Sequence, residues 1–132
     1  MSTKTVAAKL QIKPDTPIWL SHPDRLGMLG PLPEGADLVS DISAAKIALV
    51  FGDDAETVRK TLDTAGTAIT DPAILWVAYP KANRTDINRD TLWPILTDYG
   101  MRPNGQAAID DIWSALRFRP IREGEPPFLG GK

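Results

Sequence analysis

Short apolar runs alternate with segments of helical periodicity along this chain of 132 residues. Residues 46–51 and 74–79 are almost continuously apolar, which is typical of parallel strands buried on both faces. Shorter runs at residues 17–20 and 37–39 predict two more strands, and a short helix over residues 5–12 precedes them. Strands that alternate with helices indicate βαβ crossovers, so the pattern predicts a mainly parallel sheet with helices on both faces.

Two longer helices are predicted farther along the chain. Apolar residues recur at helical spacing over Ala55–Ala65, and Asp53 is placed to cap this helix. Pro94 leaves two starts open for the second helix. It either kinks a helix that begins near Asn88 or lies in the first turn of one that begins at Asp90.

The C-terminal part of the chain predicts a final pair of strands. Residues 106–109 and 113–118 form the two runs, joined by a turn at Asp110 and Asp111. Polar and apolar residues alternate in the second run, which indicates an exposed or edge strand. The fold class that follows is α/β: a single three-layer Rossmann-like domain, whose mainly parallel sheet ends in a C-terminal antiparallel strand.

Composition supports one domain and narrows the classes of partner. The hydrophobic fraction of 42% is ordinary for a globular protein, so residues 1–120 are predicted as the domain and residues 121–132 as a flexible tail. The net charge of −2 lacks the positive excess that is typical of nucleic-acid-binding proteins. No apolar run approaches the ~20 residues that span a bilayer, and the N-terminus lacks a signal-peptide core. The chain has no cysteine, which excludes disulfides and favours a cytoplasmic protein.

Candidate ligand-binding residues follow from the topology, because doubly wound sheets bind ligands beyond the carboxyl ends of their strands. The predicted loops there carry His22, Lys81, Asp86, Arg89, Asp90, Asp110, Asp111 and Trp113. His22, the only histidine, is either a general base or a turn residue that caps the helix behind Pro23. Trp113 either lines a pocket or packs in the core.

The densest polar group begins at Lys81. Lys81 and Arg89 suit the recognition of an anion, and Asp86 and Asp90 would then orient them or move a proton. The structural alternative is a loop lysine, a helix cap and solvated ion pairs at a helix start. Both interpretations remain open at the level of sequence.

Cofactor motifs are absent from the sequence. The turn after the first predicted strand reads SHPDRLG over residues 21–27, where a dinucleotide or S-adenosylmethionine site usually has a glycine-rich loop. Pro23 removes a backbone donor from this turn, and no P-loop occurs, so no cofactor is predicted. Asp110 and Asp111 suit either Mg²⁺ or a turn. A single histidine without cysteine disfavours a histidine-based site, and no metal is predicted.

Several segments together carry a family resemblance. They are GPLPEG at 30–35, LWVAYPK at 75–81, Asp86, RD at 89–90, AIDD at 108–111 and WSALRFRP at 113–120. These segments resemble an uncharacterised bacterial domain-of-unknown-function family, with departures at Pro94 and at Ile112, where threonine is expected. The resemblance implies a compact α/β domain. The order of elements is also similar to a shortened Rossmann-like, methyltransferase-like architecture, and neither likeness carries an activity.

The leading functional hypothesis is a non-catalytic domain that binds a partner protein or a small molecule at the carboxyl edge of the sheet. The alternative is a small enzyme acting on an anionic small molecule. In that enzyme Lys81 and Arg89 hold the anion, and Asp110 or Asp111 handles a proton or Mg²⁺. A homo-oligomer formed through the C-terminal tail is a third hypothesis, whereas nucleic-acid and membrane partners are not expected.

Overall fold

The computed structural model describes residues 5–81, 85–121 and 124–125, with the backbone alone at Thr67 and Arg89. The α-helices of these residues are α1 Val6–Lys9, α2 Ala55–Ala65 and α3 Arg89–Thr97. The strands are β1 Pro17–Leu20, β2 Asp37–Leu38, β3 Ile47–Phe51, β4 Ile74–Pro80, β5 Met101–Ala108 and β6 Trp113–Pro120. Short 3-10 helices lie at Pro23–Leu29, Ile42–Ala44 and Gly66–Thr70. None of the described helices has the length and apolar character needed to cross a membrane.

The six strands form one sheet in the order β2-β1-β3-β4-β6-β5. The pairs β1 with β2, β1 with β3, and β3 with β4 are parallel. β6 is antiparallel to both of its neighbours, β4 and β5, so β5 runs in the same direction as the other strands. The α/β prediction of a mainly parallel sheet with a C-terminal antiparallel strand is confirmed.

One predicted position in the sheet is wrong. β6 was expected to be an exposed or edge strand, but it lies between β4 and β5, and half of its residues are buried. The reason is that β5 begins at Met101, five residues before its predicted start, and covers nearly all of β6. Pro103 and Gly105 obscure this strand in the sequence, because both residues usually interrupt strands. The sheet accommodates them with a register shift on its outermost strand.

A helical layer covers each face of the sheet. On one face, α2 and α3 pack Leu62 and Leu92 against strand residues that include Val77. On the other face, α1 and the 3-10 helix Pro23–Leu29 cover a second cluster that contains Leu10 and Phe51. The indole N–H of Trp76 donates to the Leu10 carbonyl at 2.9 Å, so this buried polar group is satisfied. The domain is therefore the three-layer arrangement that the alternating pattern predicts.

The helix boundaries settle two points that the sequence left open or misplaced. Asp54, not Asp53, caps α2, because β3 ends at Phe51 and the Asp54 carboxylate accepts the N–H of Thr57. α3 is capped by Asn88 and begins at Arg89, which matches the earlier of the two predicted starts and leaves Pro94 inside the helix.

The described residues past Pro120 contact the sheet. The N–H of Ile121 donates to the Gly100 carbonyl at 2.8 Å. Glu125 forms a bidentate ion pair with Arg119, at 2.6 and 2.9 Å, and a second pair with Arg102 at 3.2 Å. These contacts hold Glu125 against the paired strands β5 and β6.

Candidate functional site

One edge of the sheet collects most of the predicted site residues. β1, β3, β4 and β5 end there and β6 begins there, with Pro80 opposite Trp113 and Ala108 opposite Ser114. We call this region the carboxyl edge: the strand ends together with the loops and helix starts that follow them. The predicted side chains that the structure describes at this edge are His22, Lys81, Asp86, Asp90, Asp110, Asp111 and Trp113. The side chain of Arg89 lies outside the described residues, although its backbone begins α3.

Lys81 and Asp110 meet in the β5–β6 turn. The ammonium group of Lys81 donates to the backbone carbonyl of Asp110 at 2.7 Å. The backbone N–H of Lys81 donates to the Ile112 carbonyl, also at 2.7 Å. The Asp110 carboxylate accepts the N–H groups of Ile112 and Trp113 at 2.8 and 2.7 Å. Both charged groups therefore build the turn, which is the structural interpretation of these residues, and Asp111 beside them is exposed.

Two more carboxylates of the edge hold the start of α2. Asp54 accepts the N–H of Thr57 at 2.8 Å, and Asp86 reaches from the loop before α3 to accept the N–H of Ala55 at 2.9 Å. The hydroxyl of Thr57, and then its backbone N–H, lower the pKa of Asp54. Negative charge is also favoured at a helix N-terminus, so Asp86 acts as a second cap from outside the helix.

The start of α3 carries its own cap. The Asn88 side chain accepts the N–H groups of Asp90 and Thr91 at 2.8 and 3.0 Å, and the Thr91 hydroxyl accepts the N–H of Asn88. This reciprocal pattern is a capping box. Asp90 lies exposed in the first turn, where its charge favours the helix dipole.

His22 is held by its neighbour in the chain. The hydroxyl oxygen of Ser21 lies 2.8 Å from His22 Nδ1 and accepts the N–H of Phe51 at 2.8 Å. The hydroxyl oxygen has two lone pairs, so it can accept the Phe51 N–H and either donate to Nδ1 or accept from it, according to the tautomer of the ring. No carboxylate of the described residues hydrogen-bonds the ring, so Ser21 and His22 form a pair without a third member.

The sequence did not reveal a cluster around Arg25 at the same edge. Arg25 forms a bidentate ion pair with Asp53 at 2.8 and 2.9 Å, and its guanidinium carbon lies 5.4 Å from the Phe51 ring centre and 5.6 Å from that of Trp113. The hydrogen bonds with Asp53 raise the pKa of Arg25. The signal that could have found this pair is the opposite charge on two loops that follow adjacent strands. Trp113 is half-buried and packs in this cluster.

A cleft of about 750 Å³ opens beside the end of β1, and we call it the β1 cleft. One wall is the end of β1 with Trp19 and His22, the second is the segment after β2 with Asp41, and the third is the outer side of α2. It exists because the connection from β2 to β3 contains only the 3-10 turn Ile42–Ala44, which is too short to cover β1. Of the predicted site residues, only His22 lines it.

The polar groups of the β1 cleft differ from those of the carboxyl edge. Hydroxyl groups are supplied by Ser21, Ser40, Thr57, Thr61 and Thr64, and the charged side chains are Asp41 and Lys60. In the sequence, the hydroxyl and lysine positions of α2 are indistinguishable from an ordinary solvated helix face, so they carried no signal. No group of three or more histidine or carboxylate side chains among the described residues is arranged to hold a metal ion.

Two crystal structures share this fold. One is a protein of the NADB-Rossmann superfamily from Streptococcus agalactiae, with a TM-score of 0.58 and 10% identity, covering 98% of this chain and 72% of that one. The other is Sp1610 of Streptococcus pneumoniae, provisionally described as a tRNA (m1A22) methyltransferase, with a TM-score of 0.55 and 10% identity, covering 98% of this chain and 73% of that one. At this identity the likeness shows the fold alone, which is Rossmann-like and similar to methyltransferases.

Comparisons by sequence add no closer relation. No family model matches the chain. No curated protein matches it either. The resemblance to a bacterial domain-of-unknown-function family therefore stays a prediction.

Proposed function

We propose that this chain is a non-catalytic interaction domain that docks a basic segment of a partner protein on the carboxyl edge. The observation that carries the proposal is the β5–β6 turn. Its charged residues are used to build the turn itself, and they hold an apolar side chain, Ile112, out in solvent.

Several charged groups of the edge are engaged with the protein itself. Lys81 donates to a carbonyl, Asp110 accepts two backbone N–H groups, and Asp86 caps α2. Arg25 is neutralised by Asp53. A general acid or base has to exchange a proton with substrate, and the Asp110 carboxylate is instead held by two backbone N–H groups. These internal bonds favour an architectural role over a catalytic one.

Ile112 is the large hydrophobic residue that the described part of the chain leaves exposed, at 46%. The N–H of Ile112 donates to the Asp110 carboxylate, and its carbonyl accepts the backbone N–H of Lys81. These two hydrogen bonds fix the backbone at this position. A fixed apolar anchor loses little conformational entropy when a partner covers it. Tryptophan and arginine side chains are enriched in binding hot spots, and Trp113, the next residue in the chain, packs against Arg25.

Among the described side chains of the edge, negative charge exceeds positive charge. Exposed or half-buried aspartates surround the edge: Asp24, Asp53, Asp54, Asp86, Asp90, Asp110 and Asp111. Two cations of the described loops, Arg25 and Lys81, are both hydrogen-bonded internally. Charge complementarity therefore favours a lysine-rich or arginine-rich segment. The same field repels phosphate, which argues against the RNA substrate named for the pneumococcal relative.

Selection of peptides on the intact chain tests this proposal. A random peptide library displayed on phage is panned against the immobilised protein, and we expect enriched peptides to combine lysine or arginine with an apolar residue. Their affinity should fall at least about tenfold with Ile112→Ser and with Asp111→Lys, and should weaken as salt is added. Lys46→Ala, an exposed lysine at the opposite end of β3, is the matched control and should leave binding unchanged. Acidic peptides, or equal binding to Ile112→Ser and the parent chain, would refute the proposal.

The alternative, a small enzyme acting on an anionic small molecule, is favoured by one observation. Lys81 and Asp110 lie in contact at the same edge rather than on opposite faces of the sheet. Hydrolysis of chromogenic phosphate and carboxylate esters by the purified chain measures this alternative. Turnover that is lost in Lys81→Met and Asp110→Asn, while both variants remain folded by circular dichroism, would replace the interaction domain with the enzyme.

A further inference from the structure

We propose that the β1 cleft binds a small, neutral, polyhydroxylated ring compound, in chemical class a monosaccharide. Its volume of about 750 Å³ lies within the range of about 300–1,000 Å³ that is typical of small-molecule sites. The cleft lies beside β1 and α2, away from the turn that carries Ile112. The inference is therefore independent of the docking proposed for the carboxyl edge.

Two charged side chains on opposite walls of the cleft favour a neutral ligand. Asp41 lies in the segment after β2 and Lys60 lies on α2, so their charges balance across the opening. The Asp41 carboxylate is held in place because its Oδ1 accepts the N–H of Ser43 at 2.9 Å. Oδ2 has no hydrogen bond among the described residues and is placed to accept from a ligand hydroxyl. A carboxylate acceptor and an ammonium donor lining the same cleft match neighbouring hydroxyl groups on a ring.

The remaining polar groups of the cleft are those that bind hydroxyls. Thr61 and Ser40 can each donate and accept, so they suit a ligand whose groups do the same. His22 keeps its Nδ1 on Ser21, which leaves Nε2 as a further hydrogen-bonding atom of a residue in the cleft wall. An apolar ligand would bind poorly here, because each hydroxyl that it covers would lose its hydrogen bonds to water and gain none from the ligand.

Trp19 supplies the flat apolar surface that a sugar ring requires. It is half-buried, packs on the core side of the cleft and remains part of its lining. The C–H face of a pyranose or furanose ring stacks on an indole, which buries apolar area on both partners. A single lysine in the cleft is a poor match for a di- or triphosphate, and this disfavours a phosphorylated ligand.

Titration of the intact, ¹⁵N-labelled chain with free sugars tests the inference. Glucose, galactose, mannose and ribose are the probes, and ATP and alanine represent anionic and zwitterionic ligands. We expect saturable shifts of the Trp19 indole N–H and of the Thr61 and Asp41 amides with at least one sugar. Thr61→Val and Asp41→Asn should each weaken that binding at least about fivefold. Their thermal midpoints report whether the variants are folded.

The controls separate this site from the carboxyl edge. Ile112→Ser lies outside the cleft and should leave sugar binding unchanged, just as Thr61→Val should leave peptide binding unchanged. The inference is overturned if no sugar gives saturable shifts at concentrations of about 50 mM, which would place any Kd beyond the weak millimolar range. It is equally overturned if ATP or alanine shifts the same cleft signals at lower concentration than every sugar.

Discussion

The carboxyl edge and the β1 cleft adjoin at His22, and they differ in how many of their polar side chains are bonded to backbone groups. At the edge, Asp110 accepts two backbone N–H groups of its own turn, and Asp86 accepts one at the start of α2. In the cleft, Asp41 accepts one backbone N–H, from Ser43, and Lys60 and Thr61 line the opening. In this fold, the dense polar cluster at the ends of the strands mainly hydrogen-bonds the backbone of loops and helix N-termini. Open polar groups arise instead where the fold lacks a covering element.

The largest difference that this comparison predicts is between two adjacent aspartates. Asp110→Ala removes the acceptor of two backbone N–H groups in the β5–β6 turn. Loss of such a cap typically costs about 1–2 kcal/mol, so we expect the free energy of unfolding to fall by that amount. Urea denaturation followed by tryptophan fluorescence measures it.

Asp111→Ala is the matched control for that measurement. Asp111 lies next in the chain and is exposed, so its removal should change the free energy of unfolding by less than about 0.5 kcal/mol. Equal losses in the two variants would show that the turn is held by its overall charge rather than by the Asp110 carboxylate. The edge would then lose its architectural interpretation.

Sequence patterns were sufficient for the fold because its central strands are buried on both faces. The apolar run at residues 46–51 corresponds to β3, Ile47–Phe51, and admits no exposed alternative. β5 was underestimated because proline and glycine in an outermost strand look like a turn. The α2 cap was misplaced because Asp53 and Asp54 both suit a cap, and the choice depends on where β3 ends and on the ion pair of Asp53 with Arg25.

The candidate site was predicted only in part, for a related reason. Position after a strand end correctly brought Lys81 and Asp110 together, because parallel strands share one edge. The roles of these residues depend on backbone partners that no local pattern reveals. The β1 cleft could not be predicted, since it joins Trp19, Asp41 and one side of α2 through tertiary packing. It also depends on the absence of a helix over β1 in the described connection from β2 to β3, and the local periodicity of the sequence does not reveal the cleft that results.

A smaller effect is expected from the titration of Asp54. Asp54→Asn keeps an oxygen that caps α2 but removes the charge. Because its hydrogen bonds with Thr57 lower the pKa of Asp54 in the folded chain, the ionised carboxylate adds stability above the unfolded pKa of about 4. This contribution is lost as the pH falls through the folded pKa. We therefore expect the parent chain to exceed Asp54→Asn in stability at pH 7 and the difference to disappear in acid.

Urea denaturation of both chains from pH 7 down to about pH 2.5 follows this difference. Asp71→Asn is a useful control, because Asp71 is an exposed residue that ends the 3-10 helix Gly66–Thr70 and caps no α-helix. A difference between parent and Asp54→Asn that stays constant over the whole range would contradict the expectation. The cap would then act through its geometry alone, with no contribution from charge.

The smallest effects are expected in the β1 cleft, and they decide whether the comparison between the two regions is real. Lys60→Ala and Thr61→Ala remove side chains that face the cleft, so each should change the free energy of unfolding by less than about 0.5 kcal/mol. Leu62, the next residue of α2, is fully buried against the sheet, and Leu62→Ala should cost about 2–5 kcal/mol in the same assay. A loss of more than about 1 kcal/mol in Lys60→Ala or Thr61→Ala would mean that the cleft residues hold α2 in place as the edge residues hold the β5–β6 turn. The two regions would then share one structural role, and the cleft would no longer stand out as the place where this fold leaves polar chemistry open to a ligand.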